Sequence, residues 1–258
     1  MNPKNEFIAL YAKQLRIPSF TRYQEVLRQQ EQLSYEDFLI AVMKQELDSR
    51  SHNQQKRRIK QAGFPNEKTL EEFDFKRLQH VEEAYVHQLA SCDFIRNRQN
   101  VLMIGNPGSG KSHLSIALGL RACQAGFRVK FTTAATLATT LVEAKETREL
   151  LKLERQLQKA ELLIIDELSY LSFNRHQSEL LFKVISDRAE KSSVIISTNL
   201  EFSRWTELFE NPTLVAALVD RLTFRSHILN MNNPSYRMEH GSVNLLIHRF
   251  YCIKRSHY

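Results

Sequence analysis

Apolar residues recur at helical spacing through the first fifty positions of the chain. Phe7, Ile8, Leu10, Tyr11 and Leu15 keep that spacing until Pro18 stops it, since proline removes a backbone donor and clashes with the preceding turn. Tyr23, Val26 and Leu27 predict a second helix. Ser34, with Asp37 three residues on, is a capping-type start for a third that carries Phe38, Leu39, Val42 and Met43. Gly63 and Pro65 then mark a boundary. From about residue 66 the texture changes to alternating strands and helices. Apolar runs at 101–104, 127–131, 161–165 and 193–197 read as strands, with another short one at 226–230. Helical patterns lie between them at 111–124, 136–158 and 176–190. Such alternation predicts an α/β fold, a parallel sheet with helices on both faces. The expected organisation is a small helical module over 1–62, an α/β domain over 66–240 and a tail over 241–258.

Charge changes this picture more than composition does. The 36 Lys and Arg exceed the 29 Asp and Glu, for a net charge of +7 over 258 residues. The excess lies at the ends: net +4 over 1–65, zero over 66–240 and +3 over 241–258. Ser49 to Asn66 holds no acid and carries Arg50, Lys56, Arg57, Arg58 and Lys60. That stretch suits a polyanion, and it equally suits a solvated basic linker. The basic tail reads first as disordered and second as a further nucleic-acid contact. Apolar runs of only about four residues exclude a membrane span. The N-terminus lacks the basic start and apolar stretch of a secretory leader. Cys92, Cys123 and Cys252 are odd in number and fit neither a zinc spacing nor a disulfide framework, so a reducing cytosol is the expected location.

The chemistry begins after the first strand of the second part. Residues 105–112 read GNPGSGKS, a full phosphate-loop pattern between a strand and a helix. Gly105, Gly108 and Gly110 allow the tight turn, and Asn106, Pro107, Ser109 and His113 complete the nucleotide-binding run. Its backbone amides and the positive end of the helix are suited to cradling phosphates. Lys111 is expected to reach the β- and γ-phosphates, and Ser112 to offer a hydroxyl to Mg²⁺. His113, just past the loop serine, is expected to pack or to face solvent.

The run LLII ends in Asp166 and Glu167. Both carboxylates fall at the carboxyl edge of a parallel sheet, where ligands of such folds bind. Asp166 is the candidate second Mg²⁺ residue and Glu167 the candidate base for an attacking water. That pairing favours ATP hydrolysis over small-molecule phosphorylation. Asn199, after the strand SVIIS, has an amide able to hold the lytic water, and it also suits a turn that merely closes a strand.

The ordered motifs resemble an AAA+ ATPase, and more narrowly the IstB/DnaC group of helicase-loader-like ATPases. Within that group they look most like the IstB-type transposition helpers of bacterial insertion sequences. The residues carrying the resemblance are TLEEFDF (69–75), 101–129, FTTAATL (131–137), LLIIDELSYL (162–171), STNLEFSRW (197–205), DRL (220–222) and SYR (235–237). It implies that Asn199 is the first sensor and Arg237 the second. It implies that Arg221 is an arginine finger given to a neighbouring subunit, a device worth about 10³–10⁵ in rate. From spacing alone Arg204 and Arg225 are equal candidates, and a surface ion pair is the plainer reading of all these arginines. A finger given in trans makes the active form a homo-oligomer with nucleotide at its interfaces.

The resemblance further implies ATP-dependent assembly on duplex DNA, recruitment of a cognate transposase, and hydrolysis that drives disassembly. Lys145, Arg148, Lys152 and Arg155 recur within 136–158. On one continuous helix they span about 80° and form a stripe suited to a phosphate backbone. Glu143, Glu146, Glu149 and Glu154 share the stretch, so a solvated face with a Lys145–Glu149 pair is the alternative. A replicative helicase loader that binds a helicase and single-stranded DNA is the competing function. The net positive N-terminal module favours DNA over a helicase as its target.

Overall fold

A computed structural model describes residues 3–29, 33–168, 173–188, 191–209 and 211–236. Arg237, Cys252 and the tail over 241–258 lie outside the described residues. The chain divides into two compact units, Met1–Arg57 and Arg58–Tyr258.

The first unit contains α1 (Pro3–Gln14), a short 3-10 turn (Pro18–Arg22), α2 (Tyr23–Gln29) and most of α3 (Tyr35–Ala62). Ser34 caps α3: its Oγ accepts from the Asp37 N–H at 3.1 Å and donates to the Asp37 carboxylate at 2.7 Å. Glu46, buried on α3, accepts from the Ser19 N–H at 2.9 Å and from Arg50 Nε at 2.7 Å. Arg50 also donates to the Arg16 carbonyl, so one ion pair ties α3 to the turn after α1. The basic stretch is helical through Ala62, so it is no flexible linker up to that point. Its residues are good helix formers, and the chain breaks only where Gly63 takes φ +76°.

The second unit is a five-stranded sheet in the order β2-β3-β4-β1-β5 with every pairing parallel. The strands are β1 (Asn100–Ile104), β2 (Val129–Thr133), β3 (Leu162–Asp166), β4 (Ser193–Thr198) and β5 (Ser226–Asn230). β2 begins and ends two residues later than the apolar run 127–131 suggested. Its register against β3, from Val129 opposite Leu162 to Thr133 opposite Asp166, sets those limits.

Period-two alternation divides the core between the sheet's two faces. Val101, Met103, Phe131, Leu162, Ile164 and Ile195 point into one apolar layer, with α4 (Glu83–Ala90), α5 (Asp93–Arg96) and α6 (Lys111–Gln124). Leu102, Leu163, Ile165, Val194 and Ile196 point into the other. There they meet α7 (Ala134–Glu146), α8 (Leu150–Gln158), α9 (Arg175–Arg188) and α10 (Pro212–Thr223). Trp205 and Phe202, on a 3-10 helix, pack edge to face in this second layer. The hydrophobic pattern did not announce α4, α5 or α10.

The single helix expected over 136–158 is two helices. Arg148 adopts φ +60°, and the Glu149 N–H turns back to the Ala144 carbonyl at 2.7 Å, closing α7. The four-residue basic stripe therefore does not exist on one helix. Lys145 lies in the last turn of α7, Arg148 in the connecting turn, and Lys152 and Arg155 on α8. Lys152, not Lys145, pairs with Glu149, at 3.0 Å.

Buried Arg188 ends α9 by donating to the carbonyls of Leu157, Ala160 and Ser193, which ties the end of α8 to the start of β4. Burial pushes its pKa down to about 10, so it stays charged at neutral pH. Among the described residues no helix is long and apolar enough to cross a membrane.

Candidate functional site

β4 lies between β1 and β3, so the carboxyl ends of these three strands lie side by side. β1 ends at Ile104, the loop turns through Gly108 (φ +77°) and Gly110 (φ +98°), and α6 begins at Lys111. Both glycines occupy backbone space that a side chain would strain. Lys111 is buried, and its ammonium donates to the carbonyls of Gly105 at 2.7 Å and Asn106 at 2.8 Å. A segment distant in sequence braces the same loop. The Met231 N–H reaches the Ile104 carbonyl at 2.6 Å, and the Tyr236 N–H reaches the Gly108 carbonyl at 3.0 Å.

Asp166 closes β3 and is buried. Ser112 Oγ, from the first turn of α6, donates to Asp166 Oδ1 at 3.1 Å. Ser197 Oγ, on β4, donates to the same oxygen. Ser197 Oγ also accepts the Glu167 N–H at 2.9 Å, and Glu167 itself takes φ +59°. Two more bonds hold the turn after β3. The Leu168 N–H reaches the Ser197 carbonyl at 2.9 Å, and Thr198 Oγ1 donates to the Leu168 carbonyl at 2.7 Å.

A cavity of about 440 Å³ opens over these groups. Residues 107–113, Glu167, Ser197, Thr198 and Asn199 line it, together with Phe73, Asp74, Arg77, Pro234 and Tyr236. Its size falls in the range of small-molecule sites. The Arg77 guanidinium lies 5.0 Å from the Tyr236 ring centroid. His113 has Nε2 2.8 Å from the Thr69 carbonyl and its ring edge on to Phe73.

The structure thus brings the loop residues, Ser112, Asp166, Glu167 and Asn199 together. It places Arg221 elsewhere: on the last turn of α10, exposed, donating to the Ala217 carbonyl and lying 5.4 Å from the Phe182 ring centroid. Arg221 lines a smaller cavity of about 170 Å³ with Arg98, Asn100, Phe224 and Arg225. Lys56, Arg57 and Lys60 are exposed near the end of α3, with Arg58 half-buried among them. Lys145, Arg148, Lys152 and Arg155 are all exposed.

Sequence reasoning assigned no role to Ser197, Phe73, Arg77 or Tyr236. TLEEFDF stood out only as a motif and SYR only through Arg237, and the contact of residues 231–236 with the loop is set by β5 lying beside β1.

A phosphate loop after β1, an acidic pair after β3 and a polar strand end between them define a P-loop nucleotide-binding protein of the AAA+ type. The family model for IstB-like ATP binding proteins matches residues 11–243, and the chain belongs to that family. An ATP-binding protein of insertion sequence IS21 from Pseudomonas aeruginosa is 39% identical over 208 residues, covering 81% of this chain and 78% of that protein. A counterpart from IS5376 of Geobacillus stearothermophilus is 34% identical, over 80% of this chain and 82% of its own length.

Among solved structures, the DnaC helicase loader superposes with a TM-score of 0.52 at 18% identity, over 63% of this chain and 95% of its own. AMPPCP-bound DnaA from Aquifex aeolicus gives 0.52 at 19% identity over 65% of this chain, which spans about half (51%) of that DnaA. At such identities the two structures bear on the fold alone.

Proposed function

We propose that this protein is a Mg²⁺-dependent ATPase that assembles on duplex DNA as a homo-oligomer and serves a transposase, with hydrolysis releasing the assembly. The observation that carries the ATPase reading is the convergence of Ser112, Asp166, Ser197 and Glu167 beside the phosphate loop. The insertion-sequence relatives support the transposition setting.

Lys111 exchanges the loop carbonyls it now holds for β- and γ-phosphate oxygens. Asn199 orients the attacking water, and Glu167 takes its proton as the oxygen bonds to the γ-phosphorus and the bond to the β-bridging oxygen breaks. Arg221 and Arg237 stabilise charge on the transferring group, Arg221 from a neighbouring subunit. Its place outside the nucleotide cavity of its own chain suits that role.

The donor set fits Mg²⁺: a hydroxyl and a carboxylate 3.1 Å apart are hard oxygen ligands at a phosphate site. Among the described residues no cluster of three or more His, Cys, Asp or Glu could hold a metal. Ser112 and Asp166 would therefore share the ion with phosphate oxygens. When bound, Mg²⁺ neutralises the β- and γ-oxygens. Lys56, Arg57, Arg58 and Lys60, with Lys145, Arg148, Lys152 and Arg155, supply phosphate contacts that fall steeply with salt.

The test is binding to duplex DNA with ATP, with ADP and without nucleotide, at two salt concentrations, with particle mass as the readout. Large complexes that form only with ATP and weaken in salt are expected. Indifference to duplex DNA in all three conditions would overturn the reading and favour a loader acting on a helicase and single-stranded DNA.

A further inference from the structure

The turn that carries Glu167 has an unusual backbone conformation, and the Glu167 N–H there donates to a side-chain hydroxyl. A non-glycine residue at φ +59° is strained and persists only where its surroundings fix it. The Glu167 N–H is fixed by Ser197 Oγ at 2.9 Å. That hydroxyl spends its own proton on Asp166 Oδ1, the oxygen that Ser112 also reaches. Ser197 is 1% exposed and Asp166 5%, so water is poorly placed to replace either bond. The geometry points to Ser197 as a positioning residue for hydrolysis. It couples the carboxylate of the metal site to the backbone of the catalytic glutamate, and it fixes where the Glu167 side chain enters the cavity.

The neighbouring bonds separate this role from general bracing. The Leu168 N–H and the Thr198 hydroxyl already tie the turn to β4 through the Ser197 and Leu168 carbonyls, and neither bond uses the Ser197 side chain. Removing the hydroxyl therefore leaves β3 and β4 paired and the turn attached. It frees the Glu167 peptide to leave its left-handed conformation and leaves Ser112 as the remaining hydroxyl on Asp166. Displacement of a catalytic group by about 1 Å costs on the order of 10²-fold in rate. On the proposed reading the phosphates sit on the loop and Ser197 reaches the site only through Asp166 and the Glu167 backbone, so analogue affinity is expected to change much less than the rate.

The inference rests on the ATPase reading. Its test compares the full-length wild-type chain with Ser197→Ala and Ser197→Thr, on duplex DNA with Mg²⁺. Three quantities are read: kcat, the Kd of a non-hydrolysable ATP analogue, and the thermal midpoint. For Ser197→Ala we expect kcat to fall about 10- to 100-fold while Kd changes less than about threefold. Ser197→Thr, which keeps the hydroxyl, regains most of the rate. An alanine variant as fast as wild type overturns the inference. So does one in which rate, analogue affinity and thermal midpoint fall together, since the hydroxyl is then only a strut. A wild-type chain that hydrolyses no ATP overturns the ATPase reading itself, and that outcome is read without any variant.

Discussion

Gly105 opens the phosphate loop where the backbone of Met231 leaves no room for a side chain. A Cβ there would stand 2.2 Å from the Met231 carbonyl oxygen and 2.9 Å from the Asn232 nitrogen, both backbone atoms. Gly105→Ala must therefore push residues 231–232 off the loop, straining the 2.6 Å bond from the Met231 N–H to the Ile104 carbonyl. Overpacking of this kind costs about 1–3 kcal/mol. The expected result is a lower thermal midpoint together with weaker ATP binding. Wild-type values for both would show that the two segments move apart freely.

Lys111→Ala and Glu167→Gln divide the site differently. Loss of the lysine should abolish ATP binding. Loss of the carboxylate should leave binding intact and slow hydrolysis by about 10²–10⁴-fold, the usual contribution of a general base. Equilibrium binding of a fluorescent ATP analogue beside steady-state hydrolysis decides both. The glycine was legible as part of GNPGSGKS, but its reason was not, because Met231 lies far along the chain and comes close only through the pairing of β5 with β1. Ser197 was hidden likewise: a serine at a strand end has no local signature, and its meaning comes from β4 lying against β3.

Elements were legible where one periodicity decides them. The run LLII and the 111–124 pattern sit in the structure as β3 and α6, since buried strands and one-sided helices write themselves in apolar spacing. The break between α7 and α8 was not legible, because a left-handed residue usually advertises itself as glycine or asparagine and here it is Arg148. The full length of α3 was less legible for the opposite reason: Ile59 and Ala62 are the only apolar residues of its second half, so periodicity falls silent while helix propensity persists. Within α3, Glu46 is expected to make the first unit sensitive to acid. Burial pushes its carboxyl up, but hydrogen bonds from Arg50 and Ser19 outweigh that and hold it below the ordinary 4.5. A depressed carboxyl stabilises the fold above its unfolded value and loses that contribution as pH falls through the folded one. Amide exchange in peptides from α1 and α3 should therefore quicken as pH drops below the ordinary 4.5, after correction for intrinsic rates. Glu46→Gln should exchange faster at neutral pH and show a smaller acid response. An unchanged response would mean that Glu46 does not control this unit.

For the whole molecule, the consequence of the proposed function is that no single chain holds a complete catalytic centre. Lys111, Asp166, Glu167 and Asn199 converge in one chain, while Arg221 lies on α10 beside a different cavity. If Arg221 serves a neighbour, two kinds of damaged subunit can repair each other. Lys111→Ala chains hold no nucleotide but still present an intact Arg221. Arg221→Ala chains hold nucleotide but present no finger. Each variant alone should hydrolyse ATP at least about 10³-fold more slowly than wild type on duplex DNA. Mixed in equal amounts, they place intact nucleotide sites opposite intact arginines at some interfaces, and a measurable fraction of the wild-type rate should return. Recovery should rise with total protein concentration, because it depends on assembly. A mixture no faster than its components, with co-assembly shown by particle mass, would mean that Arg221 does not act across the interface. In that case Arg225 and Arg204, exposed like Arg221, are the arginines to carry through the same exchange.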